Sequence, residues 1–179
     1  MNPINLPNID NSWTLFLDRD GVINKKIEGG YVTNINDFKF LPRVLEAICI
    51  LSHQFHKIII VTNQQGIGKG IMSCSDLENI HQHLKQEVSH HKGRIDAIYC
   101  APNLAKENNL MRKPNIGMAL AAQKDYCSID LKKSIMVGDS VSDMLFAKNS
   151  SMFGVFIGKN KDYYSISSLF ELSQLLKNN

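Results

Sequence analysis

Apolar residues fall along this chain in two alternating patterns. Short apolar runs cover Thr14–Leu17, Lys57–Val61, Ala97–Cys100, Ser134–Val137 and Phe153–Ile157. Such brief runs predict strands buried on both faces of a parallel sheet. Between them apolar residues recur at helical intervals. Val44, Leu45, Ile48 and Leu51 form one stripe, with Pro42 in the first turn of its helix. Leu77, Ile80, Leu84 and Val88 form another behind a Ser75/Glu78 capping box, and Gly93 is placed to end that helix. Further helices are expected at about 115–126, 141–149 and 167–177.

Strands alternating with helices predict βαβ units with right-handed crossovers, hence a three-layer, Rossmann-like α/β fold with a parallel sheet. No repeat, low-complexity tract or linker interrupts the pattern, so residues 1–179 read as one domain with its core at about 13–160. The first dozen residues read as a loose lead and the last two as frayed. In such sheets ligands bind beyond the carboxyl ends of the strands, which is where chemistry is to be sought.

Composition narrows the class of function. Apolar residues at 44% and charged residues at 21% are the balance of an ordinary globular protein. The net charge of +3 is small and its cations are scattered, so a nucleic-acid partner is not expected; Lys25-Lys26 and Lys132-Lys133 read as solvated pairs. Cys49, Cys74, Cys100 and Cys127 show no C-x-x-C, and no signal peptide precedes them; they are expected as reduced thiols of a cytoplasmic protein. No apolar run approaches the roughly 20 residues that span a bilayer, so no membrane partner is expected.

Three strand ends carry suggestive residues. The first runs into Asp18-Arg19-Asp20-Gly21. Two carboxylates roughly 4 Å apart repel by about 4 kcal/mol at an effective dielectric near 20, which a cation would offset. Two solvated acids at a strand exit are the alternative. The second strand ends in Thr62-Asn63-Gln64-Gln65-Gly66, whose hydroxyl and amides could donate to phosphate oxygens. The following GIGKG fits neither GxGxxG nor the P-loop and reads as a mobile connection. The fourth strand ends in Gly138-Asp139-Ser140, with Asp143 on the first turn of the next helix, as a support for a metal ligand or an N-terminal helix charge. Arg112-Lys113-Pro114 places two cations at a helix start, a phosphate grip or a surface pair. His81, His83, His90 and His91 read as packing or solvated residues, His81 and His83 pointing about 200° apart on one helix.

The order Asp-x-Asp, Thr, Lys, Gly-Asp resembles the haloacid dehalogenase superfamily of phosphatases. FLDRDGVIN at 16–24, Tyr31-Val32, VTNQQGIGKG at 61–70, RKP at 112–114 and MVGD at 136–139 resemble its heptose-bisphosphate and histidinol-phosphate phosphatase branch, over about residues 13–160. The resemblance implies Mg²⁺ on Asp18, the Asp20 carbonyl and Asp139; Asp18 as nucleophile; Asp20 as general acid and base; and Thr62 and Lys113 on the phosphoryl group. It further implies substrate contacts from Glu28, Tyr31, Asn63, Gln64, Arg112 and Ser140. Many relatives hold zinc on a Cys-x-His and Cys-x-Cys loop. Here Cys100 matches one ligand, while Pro102, Asn109 and Met111 stand at the others, so no zinc is expected and packing or substrate has to order 101–111. Ser140 stands where relatives often have Lys.

With no room for a large cap, the roof over the site is expected from Lys25–Tyr31, Gln64–Ile71 and Ala101–Met111. The implied substrate is a small phosphorylated sugar, D-glycero-D-manno-heptose 1,7-bisphosphate first and histidinol phosphate second, acted on by a monomer. A phosphorelay receiver is the contrasting class, but its acids are adjacent and its acceptor lies on the third strand, which here ends in Tyr99-Cys100. A catalytically silent sugar-phosphate binder is a further possibility.

Overall fold

The computed structural model describes residues 5–177. Six strands form one all-parallel sheet: β1 (Thr14–Leu17), β2 (Lys57–Asn63), β3 (Ala97–Ala101), β4 (Ser134–Gly138), β5 (Phe153–Ile157) and β6 (Tyr164–Ile166). Their order is β3-β2-β1-β4-β5-β6, so the chain reverses direction across the sheet at β1, between β2 and β4. Thr14 to Leu17 pair with Lys57 to Ile60 on one side and Ser134 to Val137 on the other. β6 was not expected; three residues with no apolar run of their own leave little signal.

Alternation along the strands sorts the core into two layers. Leu15, Leu17, Ile58, Ile60, Ile135 and Val137 face α1 (Val44–Gln54), α3 (Cys74–His90) and α6 (Leu169–Lys177). Phe16, Ile59, Val61 and Met136 face α4 (Gly117–Asp125) and α5 (Val141–Asn149). β1, β2 and β4 therefore carry unbroken apolar runs, at 15–17, 58–61 and 135–137, and each fully buried Leu, Ile or Phe contributes about 1.5–3 kcal/mol. Among the described residues no helix is long and apolar enough to cross a membrane.

Several local expectations shift. α1 starts at Val44 after an Arg43 N-cap in the left-handed region, so Pro42 lies outside its first turn. The capping box of α3 is Ser73/Asp76, not Ser75/Glu78, because Ser73 is the residue left in extended backbone. Lys92, not Gly93, takes the left-handed conformation that ends α3; Gly93 closes the turn by donating to Val88 O (2.9 Å). α4 starts at Gly117, so Pro114 precedes the helix and the Lys113–Pro114 peptide is cis. Gln65–Gly68 forms a helical turn, α2, where a mobile loop was expected. Gly68 N donates to Pro102 O (3.2 Å), and a Cβ there would meet that oxygen at 2.6 Å. The lead is docked rather than loose from residue 6, since Leu6 and Ile9 pack on the core; residues 1–4 and the frayed end expected at 178–179 lie outside the described residues.

Candidate active site

Continuing the alternation one step past β1 turns Asp18 toward α4 and α5, and Arg19 toward α3. Both faces use the result. Asp18 meets Lys113, from the loop before α4, at 2.9 Å, and Lys113 meets Asp143, on the first turn of α5, at 2.6 Å. The third donor of Lys113 goes to Val61 O (2.8 Å). Asn63 fixes the Lys113 backbone from both sides: its Oδ1 accepts from Lys113 N (3.0 Å), and its Nδ2 donates to Lys113 O (3.1 Å). Asp143 is fully buried and its Oδ2 accepts from Ser140 N (3.0 Å) and Ser140 Oγ (2.6 Å), so Ser140 caps α5 and steadies Asp143.

The electrostatics follow from burial. Burial raises the Asp18 carboxyl to about 7 despite the pull of Lys113, with the Asp143 and Asp20 charges adding to the rise. Burial also acts to lower the Lys113 pKa, but Asp143 and Asp18 outweigh it and hold the ammonium above the ordinary lysine value.

Asp139 leaves β4 beside Asp18. Its Oδ2 pairs with Lys26 Nζ (2.9 Å), whereas its Oδ1 is buried with no partner. Gly21, at φ +92°, lies against this carboxylate so closely that a Cβ would meet Oδ2 at 2.2 Å. Ligand oxygens of Asp18, Asp139 and Asp143 lie within 4.8 Å of one another. Acid-only donors, one of them an orphaned buried oxygen, fit a hard divalent cation. Both Asp143 oxygens are engaged, Oδ1 by Lys113 and Oδ2 by Ser140, whereas Asp18 and Asp139 each keep one oxygen without a protein partner.

Asp20 faces differently from Asp18. Its carboxylate accepts from Arg19 Nη2 (3.0 and 2.9 Å), Asn24 Nδ2 (2.8 Å) and Gln64 Nε2 (2.8 Å). Burial raises its pKa, but Arg19 and these bonds prevail and hold it below the usual carboxylate range. The same Gln64 Nε2 donates to Thr62 Oγ1 (2.8 Å), so the Thr62 hydroxyl hydrogen is available to a ligand.

These groups open on a cleft of about 440 Å³, lined by Asp18, Asp20, Thr62, Asn63, Lys113, Asp139 and Ser140 at its base and by Glu28, Tyr31, Lys69 and Arg112 among others. Gln64 does not line it; its amide serves Asp20 and Thr62. No residue of 101–111 lines it either, contrary to the expected third roof segment. That segment supports Arg112, whose Nη1 donates to Asn103 O (3.1 Å), and is held by Asn103–Glu107 (2.9 Å) and Asn115–Asn108 (3.1 Å) side-chain bonds.

Known proteins match this arrangement. The polynucleotide kinase 3 phosphatase family matches residues 15–170. A Mycobacterium bovis protein named D-glycero-alpha-D-manno-heptose-1,7-bisphosphate 7-phosphatase is 39% identical over 76% of this chain and 72% of its own. A Helicobacter pylori protein named as the corresponding beta 7-phosphatase is 37% identical over 77% of this chain and 79% of its own. The chain belongs to the heptose-bisphosphate phosphatase branch of the haloacid dehalogenase superfamily. The D,D-heptose 1,7-bisphosphate phosphatase of B. bronchiseptica, solved with magnesium and phosphate, superposes with a TM-score of 0.84 at 25% identity, covering 93% of this chain and 99% of that one.

Within this phosphatase fold four residues stand out to which motif reading gave no part in the site: Arg19, Lys69, Lys26, which pairs with Asp139 where a solvated pair was expected, and His81, read as packing or solvated. Lys69 Nζ lies 5.3 Å from the Tyr31 ring centre, on the cleft wall. His81 had a signal, since it shares the α3 stripe with Leu77, Ile80, Leu84 and Val88 and is buried with them. Lys26 had none, because its partner is 113 residues away.

Proposed function

We propose that this chain removes the 7-phosphate of a D-glycero-D-manno-heptose 1,7-bisphosphate through an aspartyl-phosphate on Asp18. The observation that carries the reading is the Asp18–Lys113 pair at 2.9 Å in a cleft that also displays Arg112 and Lys69, two cations paired with neither Asp18 nor Asp139. One phosphate is placed against Asp18 and the other against that second cationic pair. The names of the relatives support the same substrate. Histidinol phosphate, with a single phosphate, leaves the second pair without an anion.

Asp18 Oδ1 is held by Lys113 and by Arg19 N (2.7 Å), which leaves Oδ2 to attack phosphorus in line. Thr62 donates its hydroxyl to a phosphoryl oxygen, with Gln64 fixing the rotor. Lys113 keeps Asp18 oriented and supplies positive charge, its three donors being engaged by protein. Asp20, an anion with four incoming bonds, acts as the base that deprotonates water in the second half-reaction. To protonate the leaving sugar oxygen in the first, it has to gain a proton and give up Gln64. Asp18, the Asp20 carbonyl and Asp139 would hold a magnesium ion, which would supply positive charge against the phosphoryl oxygens. Zinc has no part in this reading, since the 101–111 loop is ordered by its own bonds.

The test is a substrate panel of both heptose 1,7-bisphosphate anomers, fructose 1,6-bisphosphate and histidinol phosphate. The highest kcat/KM is expected for a heptose bisphosphate, and Asp18→Asn is expected to be inactive on all four. A preference for histidinol phosphate would overturn the substrate, and an active Asp18→Asn would overturn the mechanism.

A further inference from the structure

Between the two aspartates stands a cation whose side chain turns away from the cleft. Arg19 is fully buried, and a buried guanidinium depends on a paired anion and on acceptors for its donors. Nη2 serves Asp20 twice, and the Phe38 ring lies 5.9 Å from Cζ. Nη1 lies 3.3 Å from His81 Nε2, and Nε has no partner. Arg19 thus has two polar anchors for its side chain, Asp20 and His81. A guanidinium only donates, so His81 Nε2 has to accept and its ring proton sits on Nδ1.

We infer that His81 is a positioning residue for the reaction: it holds the Arg19 fork, and Arg19 holds the Asp20 carboxylate at the cleft. The inference rests on the phosphatase reading above. The backbone makes the linkage stiff. Arg19 O accepts from Ile23 N (2.8 Å) and Asn24 N (3.2 Å), so the loop after β1 is wound around the same residue that His81 grips. His81 itself sits on the buried face of a 17-residue helix fixed at its start by the Ser73/Asp76 capping box. The charges that act on its ring are Arg19, which touches it, with Asp20 from that loop and Lys85 from its own helix. Burial and then Arg19 push its pKa down to about 3, so the acceptor keeps its form throughout the neutral range.

Asp20 works on the leaving oxygen, so misplacing it has a signature. A substrate with an alkyl leaving group needs its proton; p-nitrophenyl phosphate needs little help. For His81→Leu, which keeps the packing, kcat on an alkyl phosphate is expected to fall about 10- to 100-fold, the scale of one charge-assisted bond, with KM little changed. Hydrolysis of p-nitrophenyl phosphate is expected to fall less than about threefold, and His81→Gln, a neutral acceptor, to restore most of the alkyl activity. Equal loss on both esters, no loss, or no rescue by Gln would overturn the inference. Should neither variant fold, ¹⁵N spectra of the wild-type histidines decide it. One ring is expected neutral with its proton on Nδ1 from about pH 5 to 8, and if no ring behaves so the inference falls. The phosphatase reading fails separately, if wild type hydrolyses neither ester or Asp18→Asn remains active.

Discussion

Replacing Lys113 by Met probes the charge balance on which the whole cleft depends. The side chain is 2% exposed, and its partners Asp18 and Asp143 are 13% and 0% exposed. At 2.9 and 2.6 Å, each pair is worth about 6 kcal/mol at an effective dielectric near 20, set against several kcal/mol of desolvation for each ion. Met fills the volume but leaves two buried carboxyls without a cation. Breaking such a pair typically costs about 3–5 kcal/mol, and that is the loss expected near pH 8. The loss should shrink with acid. In the variant at least one carboxyl takes up a proton that the unfolded chain holds only near the ordinary aspartate value of 3.8, so the deficit closes by about 1.4 kcal/mol per pH unit per proton. Even in wild type the raised Asp18 contributes stability that is present below 3.8 and lost as pH rises through about 7. Urea unfolding of both proteins in EDTA, near pH 5 and near pH 8, measures this. A loss under about 1 kcal/mol near pH 8, or an equal loss at both pH values, would refute the reasoning.

Other expectations are as direct. Asp20→Asn should slow sugar-phosphate hydrolysis by about 10²- to 10⁴-fold and p-nitrophenyl phosphate much less, read from kcat on both. Arg112→Ala should lower kcat/KM for a heptose bisphosphate by about 2–4 kcal/mol and leave p-nitrophenyl phosphate nearly unchanged; equal loss on both would move Arg112 into the reaction centre. EDTA should abolish activity and Mg²⁺ restore it, and elemental analysis of the purified protein is expected to find no stoichiometric zinc. His81, with its pKa depressed from 6.5 to about 3, should make stability fall as pH drops below 6.5, by about 2 kcal/mol at pH 5. His81→Leu should flatten that part of a melting-temperature profile.

What the sequence determined by itself is what repeats locally. A parallel strand buried on both faces carries an apolar run unbroken by the usual alternation, so five of the six strands were legible, two to the residue. The acids Asp18, Asp20 and Asp139 were legible because they end such strands, where the fold places ligands. Helix boundaries were less so. Pro42, Ser75 and Gly93 are all plausible punctuation, but the backbone of Arg43, Ser73 and Lys92 decided the ends of α1 and α3. Only the tertiary structure decided the partners. Lys113 finds Asp143 from a different loop, Asn63 clamps Lys113 across 50 residues, and Gln64 ties Asp20 to Thr62. Arg19 sat in plain view between two aspartates, yet its turn toward His81 depends on strand parity carried past the end of β1 into a helix 62 residues away. Strand and helix periods are properties of a segment and can be read from it. An ion pair belongs to two segments, and which two meet is set only when the sheet order brings them together.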